Sequence, residues 1–157
     1  MILLGIDPGI GTTGFGVVRR ETLNSYRFVE CGCIKTAPRR PLPERLLRLS
    51  EDLATLLDRV RPDRVAVEKL FFGKNVTTAF AVGQARGVIL LEIARRSIPL
   101  AEFSPPQVKQ AVAGYGAARK GQVQAMVQRL LKLSKPPSPD DAADALALAL
   151  CHGFTVR

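Results

Sequence analysis

Ile2-Leu3-Leu4-Gly5-Ile6 is a short apolar run ended by Asp7-Pro8-Gly9, the pattern of a buried strand meeting a turn. Gly11, Gly14 and Gly16 then surround Thr12-Thr13, and Phe15-Gly16-Val17-Val18 resumes an extended pattern, which predicts a hairpin. Tyr26 to Lys35 reads as a third strand, with Phe28, Cys31 or Cys33, and Ile34 available to the core. The prolines from Ala37 to Pro43 predict a loop. After it, Leu46, Leu49, Leu53, Leu56, Leu57 and Val60 recur at helical spacing, an amphipathic helix that stops near Arg61-Pro62. Arg64-Val65-Ala66-Val67 is a short β-type run ended by Glu68. A second helix is expected from roughly Thr78 to Arg96, then a strand from Ile98 to Phe103 and a short helix from Pro105 to Ala113. A third long helix follows from Gln122 to Leu133, a proline-rich break at 135–139, and a terminal Ala/Leu helix from Asp140 to His152. Three strands followed by alternating helices and strands indicate an α/β or α+β fold with a mixed sheet. No internal repeat or low-complexity tract interrupts it, so 1–157 is expected to be one domain.

Composition narrows the classes. At 157 residues with 46% hydrophobic and 24% charged side chains, the chain has globular rather than disordered proportions. No apolar run approaches the roughly 18 residues of a membrane span, and the start lacks the basic segment of a secretory signal. Cys31, Cys33 and Cys151 cannot all pair, and three are too few for a disulfide scaffold, which points to the reducing cytoplasm. Lys and Arg number 23 against 14 Asp and Glu, a net charge of +9. Residues 69–139 hold 11 basic residues and only Glu92 and Glu102, so this stretch alone carries a net +9. A one-signed field of this kind attracts polyanions, nucleic acid first among them.

The chemistry is expected where carboxylates stand in apolar company. Asp7 and Glu68 each end a strand that should be buried, and Asp144 sits inside Ala142-Ala143-Asp144-Ala145-Leu146-Ala147-Leu148. An isolated buried carboxylate costs several kcal/mol, on the order of which a partner, a proton or a cation must offset. Asp141 and Asp144, three apart on one helix, can point into the same space. If all four acids meet, a divalent cation with oxygen preference, Mg²⁺ or Mn²⁺, best relieves their repulsion. Two such ions roughly 4 Å apart can activate water and clamp a phosphodiester without a Ser, Cys or His nucleophile. Three of the acids also have a plainer reading: Asp7 as the start of a turn, Glu68 paired with Lys69 or Lys74, Asp141 in a capping box with Ser138, while Asp144 has no basic residue one turn away on its helix. His152, the single histidine, reads as structural or exposed at the helix end sooner than as a proton carrier. A zinc site built on Cys31-x-Cys33 is not supported by the spacing.

The ordered set Gly5-Ile6-Asp7-Pro8-Gly9, Glu68-Lys69-Leu70-Phe71, Lys74-Asn75, Gly83-Gln84-Ala85-Arg86-Gly87, Pro106-Gln107-Val108-Lys109, Gly114-x-Gly116-x-Ala118-x-Lys120 and Asp141-Ala142-Ala143-Asp144-Ala145-Leu146 resembles the RuvC family of Holliday-junction resolvases. It covers nearly the whole chain. The resemblance implies a ribonuclease-H-like α/β fold, a mixed five-stranded sheet flanked by helices. It implies a homodimeric, Mg²⁺-dependent endonuclease, with two ions per site and Mn²⁺ able to substitute. Such an enzyme nicks opposing strands of a four-way DNA junction and leaves 5′-phosphate and 3′-hydroxyl ends. Asp7, Glu68, Asp141 and Asp144 fall on the family's catalytic, metal-binding positions. Phe71, Lys74, Asn75, Lys109, Arg119 and Lys120 are its candidate DNA contacts. The small-residue stripe Ala79, Gly83 and Gly87 would suit the dimer contact, and the RuvA–RuvB branch-migration complex is the implied partner. Lys69 departs from the expected residue after Glu68, and the tail ends soon after the last helix.

Three rival readings remain. Asp7, Gly9 and Gly14 also satisfy the phosphate loop of actin- and Hsp70-type ATPases, although those need two such domains. The basic stretch is also compatible with a non-catalytic binder of branched DNA, and the acid cluster with a nuclease acting on structured RNA.

Overall fold

The computed structural model describes residues 1–69 and 76–156, with the side chains of 76–78 left aside. The strands are β1 (Ile2–Asp7), β2 (Thr12–Thr22), β3 (Ser25–Lys35), β4 (Arg64–Glu68) and β5 (Leu100–Phe103). The helices are α1 (Leu42–Val60), α2 (Val76–Arg95), α3 (Pro105–Ala113), α4 (Lys120–Leu130) and α5 (Asp140–Thr155). One mixed sheet runs in the order β3-β2-β1-β4-β5. The β1–β2 and β2–β3 pairs are antiparallel, as hairpins require, while β1–β4 and β4–β5 are parallel and are joined by helical crossovers. This is the expected mixed five-stranded architecture.

Side-chain alternation along the strands sorts the sheet into two faces. Leu4 and Ile6 of β1, with Val65 and Val67 of β4, pack in one core with Leu49, Leu53 and Leu57 of α1 and Ile89 and Ile93 of α2. Leu3 and Ala66 point the other way, into a core built with α3, α4 and α5. Helix α5 is buried almost all round from Ala142 to Gly153, which explains its near absence of polar side chains after Asp144. Period two then places Asp7 with Leu3 and Gly5, and Glu68 with Ala66, on the face that α5 covers.

That helix lies unusually close to the sheet. A Cβ on Gly5 would collide with the Ala145 carbonyl, and one on Gly16 would lie 2.6 Å from the Leu146 nitrogen. Gly5 and Gly16 are directly paired across β1 and β2, so together they make a flat landing for the α5 backbone. Gly16, part of the pattern that predicts a hairpin, thus also serves packing.

Several boundaries differ from expectation. Helix α1 begins at Leu42 with proline in its first turn, inside the segment expected to be a loop. Proline lacks only an N–H that the first turn leaves unpaired anyway. Strand β5 starts at Leu100 rather than Ile98, and α5 continues to Thr155. Asp7 ends β1 in register with Gly14 rather than opening a turn.

Candidate active site

Asp7 and Glu68 close two adjacent parallel strands whose last shared register pair is Ile6 with Val67. Each acid lies one residue beyond that pair, so the two carboxyls stand side by side at the C-terminal edge of the sheet. Asp141 and Asp144 descend onto the same edge from the first turns of α5. The loop after Asp7 is held by buried Thr13, whose Oγ1 donates to the Gly9 carbonyl at 2.7 Å and accepts from the Gly9 N–H at 3.4 Å.

The electrostatics show that the acids face one another. Burial, then the charges of Glu68, Asp144 and Asp141, push the Asp7 carboxyl up to about 8, with Lys120 pulling it down. Glu68 is also raised, by burial first and then by Asp144, while hydrogen bonding with Asp7 and the charges of Lys109 and Lys120 oppose the shift. The side chains that part in sequence therefore form one electrostatic unit. Burial opposes the Lys120 charge, but Asp144 and Asp140 outweigh it and hold its pKa above the ordinary lysine value. Its ammonium lies 3.0 Å from Asp144 and 3.2 Å from Asp140.

Glu68, Asp144, Lys109 and Lys120 line a cavity of about 200 Å³ whose floor is Pro105, Val108, Val123 and Ala147. The capping box of Ser104 and Gln107 starts α3 so that Lys109 projects toward Glu68, with Gln107 Oε1 accepting from the Ser104 N–H at 2.8 Å. Arg119 is exposed at the start of α4, where its backbone N–H donates to Gln122 Oε1 at 2.8 Å. Phe71, Lys74 and Asn75 lie outside the described residues.

Asp7, Glu68, Asp141 and Asp144 offer only hard carboxylate oxygens, and burial followed by the charges of the other three favours the protonated form of Asp7. Among the described residues no three His, Cys, Asp or Glu side chains close around a single point as a finished cage. The Lys120 ammonium instead neutralises Asp144, and Asp7 hydrogen-bonds with Glu68. The residues fit an oxygen-preferring cation in kind, with side-chain rotation needed to close around it.

Two further residues support the site, Arg86 and Arg45, to which the sequence assigns no role of their own. Arg86 on α2 donates from Nε to the Glu68 carbonyl at 3.3 Å and from Nη2 to Glu102 on β5. It ties the last residue of β4 to the neighbouring strand. A basic residue beside buried Ala85 and Ile89 on one helix was the available signal. Arg45 on α1 donates to the Ile10 carbonyl at 3.1 Å and so braces the loop that follows Asp7.

His152 is not exposed. It is 5% accessible, its ring lies 5.7 Å from that of Phe103, and neither ring nitrogen has a partner among the described residues. It lies eight positions along the helix from Asp144, about 12 Å along the axis, too far for direct proton transfer at the carboxylates. Cys31 and Cys33 lie beside Gly16 and Gly14 under α5, and burial followed by the Asp141 charge raises the Cys33 thiol. On α2, Ala79 and Gly83 are half-buried and Gly87 is exposed. The open face of that helix runs through Phe80, Gln84, Gly87 and Leu91, so Gly87 is the stripe residue that lies on it.

The model for the family described as crossover junction endodeoxyribonuclease RuvC matches residues 3–152. The chain is 55% identical over 155 residues to the protein of that description from Chloroflexus aggregans, covering 99% of this chain and 94% of the relative. Its identity to the Petrotoga mobilis protein of the same description is 53% over 153 residues, 98% of this chain and 93% of that one. Among solved structures, Thermus thermophilus RuvC in complex with a Holliday junction substrate superposes with a TM-score of 0.93 at 41% identity, over 98% of this chain and 93% of that one.

Proposed function

The chain belongs to the RuvC family of crossover junction endodeoxyribonucleases, and from that premise we propose that it resolves four-way DNA junctions by paired hydrolytic nicks on opposing strands. The observation that carries the reading is the convergence of Asp7, Glu68, Asp141 and Asp144 beside Lys109 and Lys120 at one edge of the sheet.

The nucleases of this family are metal-dependent. Asp7, Glu68, Asp141 and Asp144 would hold the metal, which we take to be Mg²⁺, with Mn²⁺ able to replace it and two ions per site. Bound there, it would supply an activated water and stabilise the leaving oxygen of an in-line displacement. The protein's own part is positional. Asp7 must surrender its proton, held to about 8, before the cluster can ligate. Lys109 and Lys120 bring positive charge to the strand entering the cavity, and Lys120 releases Asp144 as the phosphate arrives. Products with 5′-phosphate and 3′-hydroxyl ends follow from water attack at phosphorus. Phe71, Lys74, Asn75 and Arg119 complete the proposed DNA contact set.

Two identical sites related by a two-fold axis suit a two-fold substrate, so the active form is read as a homodimer. The supporting surface is α2, where Phe80 is 72% exposed and a Cβ on Gly87 would meet nothing within 4 Å. Residues 1–157 serve as one nuclease domain, working in the cytoplasm beside the RuvA–RuvB complex. Among the described residues no helix is long and apolar enough to cross a membrane.

Cleavage of four-way DNA junctions, linear duplexes and RNA hairpins should be compared with and without Mg²⁺. Selective, Mg²⁺-dependent paired nicking of the junction is expected, with Asp7→Asn binding it but not cutting. Preferential cutting of RNA would replace this reading, and junction binding without any cutting would leave a structural binder.

A further inference from the structure

The basic residues of the first third of the chain do not cancel in space as they do in a count. Lys35, Arg39, Arg40, Arg45 and Arg48 stand within fourteen positions of one another, with Glu44 the sole acid between them. Four of them gather around one cavity of about 340 Å³, formed where β3 ends and α1 begins and lined also by Thr36 and Glu44. Arg40 holds Glu44 loosely at 3.4 Å and Arg48 pairs with Asp52 at 2.9 Å. Arg45 has only neutral acceptors among the described residues, Thr36 Oγ1 at 3.0 Å and the Ile10 carbonyl at 3.1 Å. Lys35 is exposed and makes no ion pair among the described residues. The cavity therefore keeps unneutralised positive charge in a concave site, where a phosphate can be bound by several arginines at once.

Its position relative to Asp7 follows from strand register. Asp7 pairs with Gly14, Gly14 with Cys33, and Lys35 lies two residues further toward the same edge of the sheet. Two strand spacings across and two residues along place the Asp7 and Lys35 backbones about 12 Å apart. At a rise of about 3.4 Å per nucleotide, that is three to four nucleotides of one strand. Lys109 and Lys120 flank Asp7 and Glu68 from the side of α3 and α4, whereas this cavity lies toward the opposite edge, with α1. The acids face α5 while this cavity opens beside α1, on the other face of the sheet, so a strand that runs over the C-terminal edge past the acids meets a basic contact before and after them.

We infer that the Lys35–Arg40–Arg45–Arg48 cavity is a second DNA-backbone site, which binds phosphates of the strand a few nucleotides beyond the bond cut at Asp7. The inference rests on the reading of the chain as a DNA nuclease. Arg45 couples the two sites, since the same guanidinium lines the cavity and holds the loop following Asp7.

The test is binding of a synthetic four-way junction in EDTA as a function of salt, with the parent and a Lys35→Gln/Arg40→Gln/Arg48→Gln variant. Arg45 is left intact because it braces the loop. Loss of three phosphate contacts should flatten the slope of log K against log salt by about 2.7, so that the parent's advantage shrinks about fortyfold between about 50 and about 200 mM salt. Equal slopes and affinities, or a slower cut with unchanged binding, would overturn the inference. Should the triple variant melt early, Arg40→Gln alone must still flatten the slope by about 0.9, and Arg40→Lys must restore it. A parent that prefers duplex or RNA would sink the junction reading instead, and the same slope comparison on that nucleic acid would still decide on the cavity.

Discussion

Gly14 of β2 lies against the backbone of Asp141, so close that any side chain at position 14 would collide with the Asp141 carbonyl and the Asp141 Cβ. The contact sets the height of α5 over the sheet at the point where its acids meet Asp7, the register partner of Gly14. The clash is with backbone, which cannot rotate away. Gly14→Ala is expected to lower stability by about 3 kcal/mol, at the high end for overpacking. Displacing α5 by about 1 Å would also slow cutting about a hundredfold. Urea denaturation and single-turnover cleavage of the same preparation check both, and a variant with parental values would show that α5 is not seated by this contact.

Lys120 restrains the proton on Asp7, since its charge lowers the Asp7 pKa while burial and three acids raise it. Lys120→Met should therefore shift the acid limb of the pH–rate profile upward, with a rate loss near neutral pH that narrows in alkali. Lys120→Arg should recover most of the profile. A uniform loss at every pH would assign Lys120 to DNA contact alone.

The Asp7 shift also predicts a pH-dependent stability. Its carboxyl titrates near 3.8 when unfolded and is pushed up to about 8 in the fold. The folded state thus holds the proton more tightly, and the stability this contributes is present below about 4 and lost as pH rises to about 8. Asn cannot ionise, so in EDTA Asp7→Asn should gain on the parent over that interval by on the order of a few kcal/mol. Added Mg²⁺ should stabilise the parent but not the variant. Parallel stability curves from pH 4 to 8 would refute the raised titration.

Where the acids stand was largely legible in the chain, because local patterns carry it. Apolar strands ending in Asp7 and Glu68 announce their position, period two gives their common face, and a three-residue spacing aligns Asp141 with Asp144. What joins those elements was not legible. Gly14 and Gly16 read as hairpin formers and Gly5 as one position of a buried strand, yet the main effect of all three is to admit α5, more than a hundred residues later in the chain. Proline near Leu42 suggests a loop until the first turn of α1 accepts it. The basic cavity was hidden because Lys35 belongs to a strand and Arg45 to a helix, while acids elsewhere in the first 68 residues reduce the count to a net +2. The open face of α2 likewise joins Phe80 and Leu91 to Gly87, apolar residues outside the small-residue stripe.

Arg86 gives the last prediction, because its contacts separate positioning from binding. Its guanidinium is largely buried and spans from the Glu68 carbonyl to the Glu102 carboxylate, so it fixes the backbone from which the Glu68 side chain extends. It touches neither cavity of basic residues. Arg86→Met should leave junction affinity in EDTA within about twofold while cutting slows about tenfold or more, a loss confined to positioning of the catalytic acid. The Mg²⁺ concentration giving half-maximal rate should rise, as it must if Glu68 is a ligand held out of place. Arg86→Lys should rescue only in part, since one ammonium cannot span both oxygens as the planar guanidinium does. Weakened junction binding with an unchanged Mg²⁺ requirement would instead place Arg86 on the DNA and remove it from the support of Glu68.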